Sequence, residues 1–111
     1  PHMTARGWGR IITFSARAAT AGQAKSGAYA ASKAAVLALT QSLAAEVRAH
    51  GVTANTLLLS TVDTPDNRAA MPDADRSKWV RPEQIAATVR FLCSDEAAAL
   101  SGAALPLYGR A

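Results

Sequence analysis

The chain has a single cysteine, few aromatic residues and no long apolar run. Cys93 has no partner for an internal disulfide, which fits a reducing compartment or a buried thiol on a helix face. Aromatics make up only 5% of a sequence that is 50% hydrophobic, so the apolar content comes mainly from Ala, Leu and Val, which suit close packing of helices on a sheet. Nothing approaches the roughly 18 consecutive apolar residues of a membrane-spanning helix. Ile11 to Phe14 is too short for the apolar region of a signal peptide, so the chain is expected to be soluble and cytoplasmic, with no membrane partner. The formal charge is +4, but Arg6, Arg10, Arg17, Lys25, Lys33 and Arg48 are scattered and not interleaved with aromatics, which argues against a nucleic-acid partner. No His, Cys and carboxylate cluster has metal-ligand spacing. Global disorder is excluded by the apolar content, and 111 residues suffice for one domain with one modest core. Pro1-His2-Met3 reads as a cloning remnant, with native sequence expected from Met3 or Thr4.

What is present alternates between two periodicities. Gly9 to Ser15 is a short β-rich run, followed by a small-residue loop from Ala16 to about Lys25. Ser26 is placed to cap a long Ala-rich helix running to about His50, with Gly51 just past its end. Val36, Leu39, Leu43 and Val47 recur at helical spacing, and alanines on the other sides allow close approach on more than one face. Val52 to Leu59 reads as a strand apolar enough to be buried on both faces. A polar loop from Ser60 to about Lys78 holds Pro65, Pro72 and a short helix around Asn67 to Met71. Pro82 opens another helix, to about Ser94, with Ile85, Val89 and Leu92 on one face. Ala103 to Leu107 completes the set as a strand whose Pro106 suits an edge. This order predicts an α/β fold, three parallel strands joined by right-handed crossovers.

Tyr29-Ala30-Ala31-Ser32-Lys33, near the start of the long helix, carries the chemistry. Residues four apart on a helix share one face, about 5–6 Å apart at Cβ. A neighbouring ammonium favours the phenolate and draws a tyrosine down from its usual pKa of about 10, toward a proton donor usable near neutrality. Such a pair, opening on a hollow beside the end of the second strand, is a candidate acid–base site. The same spacing also occurs on ordinary solvated helix faces.

These segments, in this order, resemble the C-terminal half of the short-chain dehydrogenase/reductase family. Gly9-Arg10-Ile11-Ile12 is similar to the strand before that family's catalytic serine. Tyr29 to Ala35 matches its Tyr-x-x-Ser/Ala-Lys motif, and Gly51 to Asn55 matches the entry to its next strand. Thr64 stands nine residues after Asn55, as the family pattern requires, and Ser101-Gly102 fits its usual ending. Residues 4–111 are thereby expected to form the C-terminal half of such a domain, a partial Rossmann-type fold. The loop Asp63 to Asp75, ending in Trp79, resembles that of dihydropteridine reductases, a subgroup of the family.

The resemblance implies an NAD(P)-dependent oxidoreductase acting on a small-molecule carbonyl or a conjugated, pterin-like imine. Tyr29 would be the general acid in reduction, and Lys33 would lower its pKa and bond the nicotinamide ribose. The Val62 backbone and the Thr64 hydroxyl would bind the nicotinamide carboxamide, with a helix cap before Pro65 as the second role of Thr64. Met71 and Trp79 would contact substrate or pack the covering loop, and His50 would simply favour a helix C-terminus. Three departures bear on this. Ala16 stands where the family has a serine thirteen residues before the tyrosine, and Ser15, one residue off, is expected to face the other way and bond backbone. Leu59-Ser60 replaces the usual Pro-Gly. No glycine-rich phosphate-binding loop is present, so binding of NAD or NADP by this chain alone is expected to be weak. Three readings stay open: the catalytic half of an oxidoreductase working with a complementary N-terminal half, a self-associating α/β module without activity, and a partner-binding protein reusing the motif surface. Association into a homo-oligomer is expected through the helix 26–50.

Overall fold

In the computed structural model, which describes residues 1–111, the strands β1 (Gly9–Ala16), β2 (Val52–Leu59) and β3 (Ala104–Leu107) form one open parallel sheet in that spatial order. The apolar run of β2 puts it in the middle, where Val52 to Leu58 are all buried. β3 pairs only with β2 and carries Pro106, a residue that an edge strand tolerates because its missing N–H is not needed for a second neighbour. The architecture is the α/β, Rossmann-type half-sheet anticipated from the order of segments.

The long helix α2 (Gly27–Val47) passes into a tight turn, Arg48–His50, and stops at Gly51. Gly51 has φ 68°, and a Cβ there would run into the Gly7 carbonyl, so this stop requires glycine. Ser26 occupies the N-cap position, but its hydroxyl donates to the Gln23 carbonyl at 3.0 Å instead of accepting from the helix, so the expected cap is not made. A short helix, α1 (His2–Arg6), precedes β1 and had no apolar periodicity to announce it. Helix α3 (Pro65–Ala70) begins two residues earlier than expected, and α4 (Pro82–Leu92) starts at its proline, with Gln84 Oε1 accepting from the Arg81 N–H at 2.9 Å. Cys93 corrects the reading of a core thiol: α4 ends at Leu92, which takes the buried position and leaves Cys93 exposed just past the last turn.

The faces of the sheet follow from strand alternation. Thr13 and Ser15 both bond to α2 and so point to its side, together with Ile11. Arg10 points the other way and meets the end of α4: its guanidinium donates to the Ser94 carbonyl at 3.3 and 3.4 Å and stacks 4.9 Å from the Trp8 ring. The Trp8 indole in turn donates to Asp95 at 3.1 Å. The helices α2 and α4 therefore cover opposite faces while the strands advance in one direction. Two such crossovers have opposite hands, so the expectation of right-handed connections throughout fails for one of them.

Two polar devices fix α2 and β3 on β2. A hydroxyl has one proton. Thr40 gives its proton to the Val36 carbonyl at 2.8 Å, so Thr13 must donate to Thr40 at 2.8 Å, and Thr56 to Thr13 at 2.9 Å. The result is a directed chain of hydroxyls running from β2 through β1 into α2. On the other face, Asn55 is 1% exposed and uses both ends of its amide, donating to Leu100 O at 2.9 Å and accepting from Ala103 N at 3.0 Å. That pair of bonds sets the chain down at the start of β3. Thr13→Val keeps the shape of the side chain but removes two links of the hydroxyl chain. It is expected to lower stability by about 1–3 kcal/mol in urea unfolding, and a change below about 0.5 kcal/mol would show that the chain contributes nothing net.

Candidate active site

The strands β1 and β2 end side by side, in register from Gly9 opposite Val52 to Ala16 opposite Leu59. Beyond their ends lies a hollow of about 400 Å³, within the usual size range of small-molecule sites. Its lining includes Ala16, Arg17, Ser60, Val62, Asn67 and Met71. Crevices outside the carboxyl ends of parallel strands are where open α/β sheets bind ligands, because backbone groups there have no strand neighbour.

Tyr29 and Lys33 stand together on the first turns of α2. The Lys33 ammonium lies 5.9 Å from the centre of the Tyr29 ring, and Tyr29 is 52% exposed. The pair does not line the hollow, contrary to the expectation of a shared cavity. Tyr29 lies open to solvent, whereas Lys33 is half-buried. What places them is Ser15. Its hydroxyl, 3% exposed, donates at 2.8 Å to the Lys33 carbonyl and ties the end of β1 to the turn that carries the lysine. Ser15 thus bonds backbone, as anticipated. Ala16, facing the other way, presents only a methyl group to the hollow.

At the end of β2 the chain bends through Val62 and Thr64. Val62 forms an isolated parallel bridge with Val80. Its carbonyl accepts from Asn67 Nδ2 at 2.8 Å and from the Thr64 N–H at 2.9 Å, while its own N–H meets no oxygen of the chain. The Thr64 hydroxyl accepts from the Asn67 N–H at 3.3 Å as the N-cap of α3 and keeps its proton unused. One free N–H and one free O–H are thus left two residues apart, Val62 lining the hollow and Thr64 outside its lining. Asn67 escaped notice in the sequence. The available signal was its position three residues after a Thr-Pro helix start, where a side chain reaches back to the preceding loop. Trp79 packs into the protein at 9% exposure, and Met71 lines the hollow.

Comparison with known proteins identifies the lineage. A family profile described as Enoyl-(Acyl carrier protein) reductase matches residues 1–109. The chain belongs to the short-chain dehydrogenase/reductase family. Among similar curated proteins, the Nodulation protein G of Azospirillum brasilense is 37% identical over 98% of this chain and 48% of its own length. The cis-4-hydroxycyclohexanecarboxylate dehydrogenase of Sinomonas cyclohexanicum is 37% identical over 97% of this chain and 47% of its own length. A solved structure described as an NAD(P) dependent gluconate 5-dehydrogenase from Beutenbergia cavernae, with NADP bound at low occupancy, superposes with a TM-score of 0.85. It is 35% identical over 96% of this chain and 47% of that one. The chain therefore spans about half the length of the relatives it matches.

One ion pair braces the loop beside Val62. Arg68 grips Asp63 with Nε to Oδ1 at 2.6 Å and Nη2 to Oδ2 at 2.9 Å. This two-pronged hydrogen bonding, reinforced by the charge, holds the Asp63 carboxyl below the ordinary aspartate range. A depressed carboxyl stabilises the fold above its unfolded-state pKa, and that contribution is lost as pH falls through the folded value. The carbon-13 titration of Asp63 is expected to show a midpoint below that of an ordinary aspartate, and Arg68→Met should bring it back up. An Asp63 midpoint unmoved by Arg68→Met would mean that the pair does not hold in solution.

Proposed function

We propose that this chain carries the proton-transferring and nicotinamide-facing part of an NAD(P)-dependent oxidoreductase, acting on a carbonyl or conjugated imine, pterin-like compounds included. The observation that carries the reading is the Tyr29–Lys33 pair on a turn tied by Ser15 to the same strand end that opens the hollow. The free Val62 N–H and Thr64 O–H fit a nicotinamide carboxamide, and Lys33 would reach the adjoining ribose hydroxyls. The nicotinamide, when bound, supplies the hydride. Tyr29 delivers a proton to the substrate oxygen or nitrogen that gains charge, and Lys33 favours the phenolate left behind. Ala16 offers no hydroxyl to steady the developing charge, which favours substrates that spread it over a conjugated system. The names of the relatives, dehydrogenases and a structure with NADP, support the reaction class without fixing the substrate.

A second reading concerns association. Leu39 is 69% exposed on α2, and alanines on that helix leave room for a close neighbour. Only 17 of 111 residues are buried although half the sequence is hydrophobic, so apolar surface is left over. The occupant proposed for the outer side of α2 is a second copy of this chain.

Joined to a nucleotide-binding half, the chain is expected to oxidise NADPH or NADH in the presence of substrate. Tyr29→Phe should reduce turnover by about a hundredfold or more. Unimpaired turnover in Tyr29→Phe would reject the proposed proton donor. For association, sedimentation at micromolar concentration is expected to show dimers or larger species that Leu39→Glu converts to monomer. A monomeric parent chain would remove α2 as an interface.

A further inference from the structure

We propose that Arg17 forms an anion subsite at the rim of the hollow, so that the substrate is a carbonyl or imine compound bearing a carboxylate. The proposal rests on the oxidoreductase reading for the place where substrate lies, and deepens it by naming the substrate class. Arg17 is the first residue after β1, at the end of the sheet where the hollow opens, and it lines that hollow. Its guanidinium sits 5.1 Å over the ring of Tyr108. The Tyr108 backbone is held at Ser60, whose Oγ donates to its carbonyl at 2.9 Å. Arg17 itself is solvent-exposed, and stacking on the ring orients its planar fork while leaving the N–H edge available.

Arg10, seven residues earlier, shows what a structural arginine looks like in this fold. Its side chain is 4% exposed, it donates to the carbonyls of Gly9 and Ser94, and it lies 3.7 Å from Asp95. Arg17 has none of these. The three ion pairs of the chain use Arg10, Arg68 and Lys78, and no carboxylate or carbonyl accepts from the Arg17 guanidinium. No Asp or Glu lines the hollow, and the other polar side chains there, such as Gln23 and Asn67, are neutral. The terminal residue Ala111 also reaches the lining, without an ion pair to Arg17. An oriented, positioned and unpaired guanidinium in a hollow without acidic side chains is complementary to a carboxylate, which it can take with two parallel hydrogen bonds. Such a clamp also answers the loss of the serine at Ala16. It holds the substrate by its far end and so positions the reacting group without a hydroxyl beside it.

A cofactor phosphate offers the same charge, and the test separates the two. The chain is labelled with nitrogen-15 and titrated with acetoacetate, with methyl acetoacetate and with nicotinamide mononucleotide, following the Arg17 Nε–H and the Val62 amide. Acetoacetate is expected to bind about tenfold more tightly than its ester. Arg17→Gln should abolish that preference while leaving ester binding unchanged, and Tyr108→Leu should weaken it by freeing the guanidinium. Equal binding of acid and ester, a preference that survives Arg17→Gln, or no shift at Arg17 with acetoacetate would overturn the proposal. So would an Arg17→Gln effect confined to the mononucleotide, which would make Arg17 a cofactor contact. The readout is binding, so its failure leaves the turnover test on Tyr29→Phe untouched.

Discussion

The position of α2 against β1 depends on hydroxyl groups more than on bulk. Alanine is the commonest residue of the helix, 8 of its 21, and an alanine methyl contributes about 0.8 kcal/mol on burial, with no preferred direction. Apolar contact of that kind holds a helix on a sheet but lets it slide. The bonds from Thr13 to Thr40 and from Ser15 to the Lys33 carbonyl do not, because hydrogen bonds weaken steeply when bent. These two ties lie about two helical turns apart along α2, one at Lys33 and the other at Thr40. Two separated points on one helix fix both its translation and its rotation. The rotation is what puts Tyr29 and Lys33 on the side near the strand end. The geometry of the candidate acid–base pair is thus inherited from a pair of strand residues, Thr13 and Ser15, that lie outside the pair itself.

The far end of β2 solves a different problem. The chain must leave the α2 face of the sheet and reach α4 on the other one, so it has to pass over the ends of the strands. Its apolar support is confined to the return, where Trp79 and Val80 are buried. The bridge between Val62 and Val80 closes the excursion at its base, Asn67 and Thr64 pin its first turn, and the Asp63–Arg68 pair braces it from outside. A loop built this way satisfies most of its own backbone groups and leaves the Val62 N–H unpaired. The opposite hand of the second crossover and the hollow under the loop are therefore one feature: a chain that crosses over the strand ends necessarily roofs the space beyond them.

Much of this was legible in the sequence because local and global preferences agree. The apolar run Val52 to Leu59 can only be comfortable in the middle of a parallel sheet, and Pro106 only at its edge. Gly51 marked its stop correctly because the left-handed turn there admits no Cβ. The Tyr29–Lys33 spacing required only that the segment be helical. The failures are of two kinds. Ser26 bonds a carbonyl three residues back and Cys93 falls one residue beyond the end of α4, details finer than periodicity resolves. The hand of the second crossover is decided by a segment distant in sequence, and periodicity carries no such information. Asn67 and Arg17 belong to the same class: a polar residue in a loop reads as solvated until the carbonyl or ring it meets is known.

Burial is distributed unevenly, and the site sits where it is thinnest. β2 is enclosed on both faces, whereas on β1 Phe14 is 47% exposed, and on α4 Phe91 is half exposed. Tyr29 is exposed as well, on the α2 side of the sheet. A tyrosine used for proton transfer needs a partner charge close by and bulk water displaced only when substrate arrives, because a permanently buried phenol would find deprotonation harder. In this chain the partner charge is in place and the covering is not. The apolar residues left at the surface around α2 and β1 are of the kind that would exclude water once another surface met them. The arrangement of charge in the candidate site is thus intrinsic to this chain, while its dielectric environment depends on whatever comes to lie against it.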